Sequence, residues 1–380
     1  MAAITSVGSI KKYFRGLKDP RVTGRSWHLL MDIIAIAICG VIGNCDDWHD
    51  IELFAKERES WFRRFLRLPH GIPSHDTLER VFARLDPAAF SRCCVAWLRA
   101  ASDLVGLGHI AIDGKTVRGS ASAKLRPLHL VSAWAAQAHL SLGQVAVDGK
   151  SNEITAIPQL LELLDLQGAL VTIDAIGCQK ALAGQIIDKG GDYVLAVKGN
   201  QERLLMDVQE TVTKALDDEL AKHQVARFVT REHGHGRDEE RSYTVVTNLQ
   251  DIRDRAAWPG LKVVGMCCRT RVVNGQESVE AHYFIGSRRM GARRYAEVLR
   301  HHWGIENNLH WQLDVSFSED ASRIQDHNRA ENFAILRKLA LGLLKQNPQK
   351  QSIVRKRKKA ALNSNFLAEV MTSAAKVEKI

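Results

Sequence analysis

The chain has no Cys-x-x-Cys pair, no internal repeat, no low-complexity tract and no apolar run long enough to cross a bilayer. Each absence removes a class of protein. The seven cysteines (Cys39, Cys45, Cys93, Cys94, Cys178, Cys267 and Cys268) include two directly adjacent pairs, a spacing that suits neither a zinc ribbon nor a disulfide framework. An odd count without a secretory leader points to a reducing compartment, with the thiols as small buried hydrophobes. Residues 1–15 lack the apolar core of a signal peptide. The longest apolar stretch, residues 29–43, is interrupted by Asp32 and falls short of the roughly 20 residues of a membrane span. A buried helix is the expectation there, in a soluble, cytoplasmic protein with no membrane partner. Disorder is not the theme either, because hydrophobic residues make up 45% and charged residues 25% of the chain, the balance of a globular protein.

What is present is length and positive charge. The 380 residues suffice for two or three domains with a large core. The net charge of +10 and the pI of about 9.3 lean toward a polyanionic partner such as nucleic acid. The first hundred residues read as helical. An amphipathic segment over 61–68 is followed by the breaker Pro69-His70-Gly71-Ile72-Pro73. A second helix then runs through Ala83, entered by a capping box of Asp76 with Glu79. Helix, turn, helix makes this region a candidate DNA-binding unit, although packed helix pairs share the pattern.

Near Gly108 the character changes to strand–helix alternation, with strands expected at 128–136, 142–147, 169–173 and 192–197 and helices at 154–166, 179–189 and 201–223. A β-rich block over about 225–288 reads as an insertion domain. Helical signal returns at 293–313 and 330–344. The expected organisation is therefore a helical N-terminal domain over 1–105, an α/β core over 106–345 carrying that insertion, and an exposed basic tail over 346–380.

The chemistry lies in carboxylates. Two apolar strands end in an aspartate, Ile110-Ala111-Ile112-Asp113 and Val171-Thr172-Ile173-Asp174. Ligands in α/β sheets gather at the carboxyl ends of strands, and neighbouring strands lie about 4.8 Å apart. Two carboxylates that close repel unless a cation or proton sits between them, and a hard divalent cation suits oxygen ligands. A lone aspartate at a strand end is more often a turn residue. The best third acid is Glu306, in a helix where His302, Glu306, His310 and Asp314 would form one polar stripe beside Val298, Ile305 and Leu309. A zinc site on Glu306, His310 and His302 is the weaker alternative, since no His-Glu-x-x-His motif occurs. His233 and His235 read as loop residues.

Longer stretches make a resemblance specific. Residues 111–120 (Ala-Ile-Asp-Gly-Lys-Thr-Val-Arg-Gly-Ser), 150–158, 172–179 and 196–201, the pairs His235-Gly236-Arg237 and Glu240-Arg241, and the block 302–320 together resemble bacterial insertion-sequence transposases of the DDE type. The branch is the one that includes the H-repeat-associated proteins, and the match runs in order from about Asp19 to Leu344. The resemblance implies a ribonuclease-H-like catalytic core with a β-rich insertion and a triad of Asp113, Asp174 and Glu306. It implies two Mg²⁺ ions, replaceable by Mn²⁺, that serve cleavage and strand transfer at the ends of an insertion sequence.

Its implied partners are double-stranded DNA, as terminal inverted repeats and as target, and a second copy of the chain when two ends are paired. Nucleoid association follows when DNA is bound. Many related transposases carry Tyr-x-x-Arg-x-x-x-Glu-x-x-x-x-x-x-Lys around the glutamate. Here Leu299, His302 and Leu313 stand at those positions, so His302, Asn307 and His310 are the expected supporting residues. Lys115, Arg118, Lys198 and Arg237 are candidate phosphate contacts. The competing readings are a nuclease that cuts without joining, an inactive DNA-binding relic, and a hydrolase of small phosphoesters.

Overall fold

The apolar run near the start forms the helix Leu30–Ile42, buried from Asp32 onward. Asp32, the one charge in it, is buried because its carboxylate accepts the Leu68 N–H at 2.9 Å. The computed structural model describes residues 10–22, 24, 26–101, 108–121, 126–147, 152–217, 224–234 and 236–372. His235, Lys150, Ser151, residues 218–223 of the expected long helix and the expected boundary at 105/106 lie outside the described residues. The chain divides into two compact units, one of Met1–Val105, Gly114–Ser151 and Glu306–Ile380, the other of Gly106–Asp113 and Asn152–Ile305. This division cuts across the expected domain boundaries. Strand β1 (His109–Val117) passes from the second unit into the first after Asp113.

The first unit is mainly helical. Its helices include Leu30–Ile42, Trp48–Lys56, His75–Phe82, Pro87–Ala101, His327–Gln346 and Ile353–Leu362, with the antiparallel pair β2 (Leu128–Ala135) and β3 (Leu140–Ala146). The early helices pack on His327–Gln346. Trp48 meets Phe333 edge-on at 4.7 Å, and the buried Asn332 amide donates to Phe82 O and Leu85 O, carbonyls at the end of helix His75–Phe82. That helix begins differently from the expected capping box. Ser74 is its cap, accepting the Thr77 N–H, while the Glu79 carboxylate pairs with Arg329. The capping rule was right and the residue was wrong, because a serine at the end of the breaker stretch outcompetes an aspartate already inside the helix.

The expected exposed basic tail also needs correction. Residues 353–362 and 364–372 are helices, and Lys356 and Arg357 are buried. Arg357 donates to the carbonyls of Val41 and Cys45 and pairs with Asp46 at 2.7 Å, so its charge is met by partners some 310 residues away.

The second unit is a mixed sheet in the order β1-β4-β5-β9-β8-β7-β6, with β4 (Leu170–Ile173), β5 (Asp192–Val197), β6 (Val225–Gly234), β7 (Arg237–Val246), β8 (Val263–Val273) and β9 (Gln276–Gly286). β1, β4 and β5 are parallel, and the rest is antiparallel. The apolar strand β4 is buried throughout, as parallel strands covered on both faces must be. The β-rich block does not stand apart: β9 pairs with β5, so the insertion extends the same sheet. Helix Ala292–Ile305 covers one face, where Ala292, Tyr295 and Val298 share a buried cluster with Leu170, Val194 and Phe284. The architecture is thus mixed α/β with a large mixed sheet and a helical N-terminal region. All seven cysteines are free, and no helix among the described residues is long and apolar enough to cross a membrane.

Candidate active site

β1 and β4 run parallel with Ala111 opposite Thr172 and Ile112 opposite Ile173, and the next residue on each strand is an aspartate. Side chains alternate along strands, so Asp113 and Asp174 emerge on one face, just past the end of the β1–β4 pairing. Both are half-buried. Asp174 holds its proton more tightly than an ordinary aspartate. Burial is the main cause, followed by the negative charges of Glu153 and Asp113, against which the N–H groups of Gly177 and Ile176 pull the other way. Asp174 also accepts the Ile176 N–H at 3.1 Å and so caps the short turn Ala175–Gly177. The residue does both things: it caps a turn and joins an acidic cluster.

Asp174, with Glu153 and Asp113 both in electrostatic reach of it, marks a site that gains from positive charge. Glu153 was not singled out in the sequence, although it lies in one of the stretches that carried the resemblance. It sits in the first turn of helix Glu153–Glu162, capped by Asn152. His302, on helix Ala292–Ile305, lies with Nδ1 2.9 Å from the Thr172 hydroxyl. Burial lowers its proton affinity, and the nearby Asp113 charge opposes that shift. At the end of β5, Lys198 is exposed. Arg237 is exposed as well, but it sits at the tip of the β6–β7 hairpin, opposite Gly234. His233, expected in a loop, belongs to β6 and pairs with Asp238.

In the first unit the expected single helix over 293–313 is broken. Glu306–His310 is a π-helical turn, followed by helix Trp311–Phe317. A π turn takes more residues than an α turn, so a four-residue spacing no longer stacks side chains on one face. The polar stripe is therefore lost: Glu306 is exposed and His310 is buried, along with Leu309. The helical spacing on which the zinc alternative rested is removed with it. Such π turns occur frequently at functional sites. Asn307, next to Glu306, is exposed.

Lys115 has a different task from the expected phosphate contact. Its ammonium pairs with Asp314 and, at 2.9 Å, with the fully buried Glu319. Arg118 stays exposed, with its guanidinium 3.7 Å from Asp320. Among the described residues no three His, Cys, Asp or Glu side chains are gathered closely enough to form a ready metal cage.

Comparison with known proteins bears on what such a site serves. Residues 106–343 match the family model described as Transposase DDE domain, and residues 11–98 match one described as DDE_Tnp_1-associated. The "Putative transposase YncI" of Escherichia coli O157:H7 is 40% identical over 379 residues, 98% of this chain and 96% of that protein. The "H repeat-associated putative transposase YhhI" of Escherichia coli K12 is 37% identical over 94% of this chain and 96% of its own length. Among solved structures, a piggyBac transposase synaptic complex with hairpin DNA aligns with 99% of this chain and 80% of that one, at 9% identity and a TM-score of 0.40, too low to bear on the fold. A match over well more than half of the chain, with relatives alike from end to end, shows that this chain belongs to the transposase DDE-domain family.

Proposed function

We propose that the chain is the transposase of a bacterial insertion sequence, cleaving DNA at the ends of its element and transferring the strands to a target through a divalent-metal site on Asp113, Asp174 and Glu306. One observation carries this reading: two aspartates stand side by side just past the last paired residues of the parallel strands β1 and β4, among further negative charge. The family supplies the reaction class, and the mixed sheet supports the ribonuclease-H-like core that the resemblance implies.

The donor set fits Mg²⁺, with Mn²⁺ as a substitute, because carboxylate oxygens are hard ligands and Asp174 is a carboxylate short of positive charge. Bound there, two such ions supply activation of the attacking oxygen and charge relief on the leaving one. Asp113, Asp174 and Glu306 are the residues that would hold the ions. Glu306, which opens the π-helical turn, is assigned the third place from the family resemblance.

His302, Asn307 and His310 are assigned supporting places, and the exposed Arg118, Lys198 and Arg237 are assigned phosphate contacts. Lys115 drops out of that group because its charge is already met. Terminal inverted repeats and target DNA are the assigned partners, with a homodimer when two ends are paired. The test is cleavage and strand joining on labelled element-end duplex. Asp113→Asn, Asp174→Asn and Glu306→Gln should each lower cleavage on the order of 10³-fold or more, with folding and end binding retained. Near-normal cleavage by one of them would remove that residue from the triad.

A further inference from the structure

One polar node sits inside the apolar layer that supports the two aspartates. The Thr172 hydroxyl lies 2.8 Å from Nε2 of His109 and 2.9 Å from Nδ1 of His302. Thr172 and His109 are almost completely buried, and His302 is half-buried. The three residues come from three different elements, β4, β1 and helix Ala292–Ile305. Two of them precede the aspartates by a short interval of strand: His109 is four residues before Asp113, and Thr172 is two before Asp174.

For stability alone this node is a poor choice. A hydrophobic layer between strands and helix is filled as well by Val and Leu, and a buried polar group costs free energy unless its hydrogen bonds are complete. His109 does not complete them, since among the described residues its Nδ1 is buried without a partner and its side chain bonds to Thr172. Burial keeps that imidazole neutral, with the neighbouring His302, His301 and Arg294 adding to the shift, down to about 3. A neutral imidazole has one N–H to donate, while a hydroxyl has one proton and two lone pairs. Thr172 can therefore hold both rings at once, which restrains their rotation, while its hydroxyl also lies 3.5 Å from the Ile110 carbonyl.

What the node gives in return is register. Apolar side chains resist sliding weakly, because their contacts are non-directional. Hydrogen bonds between 2.8 and 2.9 Å, by contrast, fix the distance between atoms on all three elements. We propose that Thr172 is a positioning residue: its hydroxyl, clasped by His109 and His302, locks β1, β4 and helix Ala292–Ile305 in the register that aligns Asp113 and Asp174 for divalent-metal binding. This rests on the metal-site reading given above.

The experiment compares wild type with Thr172→Val, which keeps shape but deletes the hydroxyl, and Thr172→Ser, which keeps the hydroxyl. Mn²⁺ binding is measured by calorimetry on the full chain, alongside end cleavage and thermal unfolding. Thr172→Val should weaken Mn²⁺ binding and lower cleavage on the order of 10–100-fold, as loss of a group that orients ligands does, while remaining folded. Thr172→Ser should restore both to within a few-fold of wild type. Should Thr172→Val fail to fold, His302→Asn and His302→Leu ask the same question, since an Asn amide can stand in for Nδ1 and Leu cannot. Metal binding should then fall in the order wild type, His302→Asn, His302→Leu. Wild-type Mn²⁺ binding with an equal value in Thr172→Val, or with no rescue by Thr172→Ser, overturns the node and leaves the metal site standing. A wild type that binds no Mn²⁺ overturns both.

Discussion

Two regions of the molecule concentrate charge away from water, and they resolve it in opposite ways. In the first unit Glu319 is fully buried, yet its carboxyl is held below the ordinary range. Burial pushes it up, but Lys115, Arg337 and Lys338 outweigh that. In the second unit Asp174 is only half-buried, yet its carboxyl is held above the ordinary range, because burial and the charges of Glu153 and Asp113 act together. One acid is surrounded by bases and the other by acids. The first arrangement has its charge met within the protein and reads as structure. The second lacks positive charge and reads as a place where a cation belongs.

The largest expected effect lies on the structural side. Glu319→Gln or Lys115→Met leaves a buried charge without its partner and should destabilise the fold by about 3–5 kcal/mol. Urea unfolding measures it, and a change below about 1 kcal/mol would erase the contrast between the two regions. The two acids should also respond oppositely to pH. Glu319 has a lowered folded value, so its stabilisation is present above its unfolded value near 4.5 and is lost as pH falls through the folded one. Asp174 has a raised folded value, so its contribution is present below 3.8 and is lost as pH rises through the folded value. Asp174→Asn should therefore melt higher than wild type at neutral pH and lose that advantage in acid, as scanning calorimetry at several pH values would reveal. A lower melting temperature at neutral pH would mean that the turn cap matters more than the repulsion.

A smaller effect concerns Lys338, buried against Ser132 and Gln144 at 2.7 and 2.6 Å. Burial lowers its ammonium to about 8, partly offset by the Glu319 charge. A base with a depressed folded value adds stability above its unfolded value of 10.5 and loses it as pH falls through 8. Wild type should gain stability between pH 8 and 10.5, and Lys338→Met should not. Identical pH profiles for the two proteins would contradict this. The smallest effect is at the surface. Lys198→Ala should lower the salt dependence of end binding by about one unit of slope, and an unchanged slope would remove Lys198 from the phosphate contacts.

The comparison also separates what the chain makes legible from what it hides. Asp113 and Asp174 were visible because an apolar run that ends in an acid is a local pattern, and the runs Ile110–Ile112 and Val171–Ile173 obey it. Glu153 and Thr172 were not, since one opens a helix and the other sits inside an apolar run. Only register brings them to the aspartates. The π turn at Glu306–His310 escaped because periodicity presumes 3.6 residues per turn. The burial of Arg357 escaped because its partners, Val41, Cys45 and Asp46, lie more than 300 residues away. Lys115 looked like a free base beside a strand end until Asp314 and Glu319, some 200 residues on, came to meet it. Local chemistry is readable residue by residue, whereas its neutralisation by distant partners is a tertiary fact.

The central claim is that the acids around Asp174 await a cation while those around Lys115 do not. Calorimetric titration of Mn²⁺ into wild type, Asp113→Asn, Asp174→Asn and Glu319→Gln, at a temperature where all four are folded, tests it directly. Wild type and Glu319→Gln should bind Mn²⁺ within a few-fold of each other, and each aspartate variant should lose on the order of 100-fold or more in affinity. Equal binding by wild type and Asp174→Asn, or loss of binding in Glu319→Gln alone, would contradict the account.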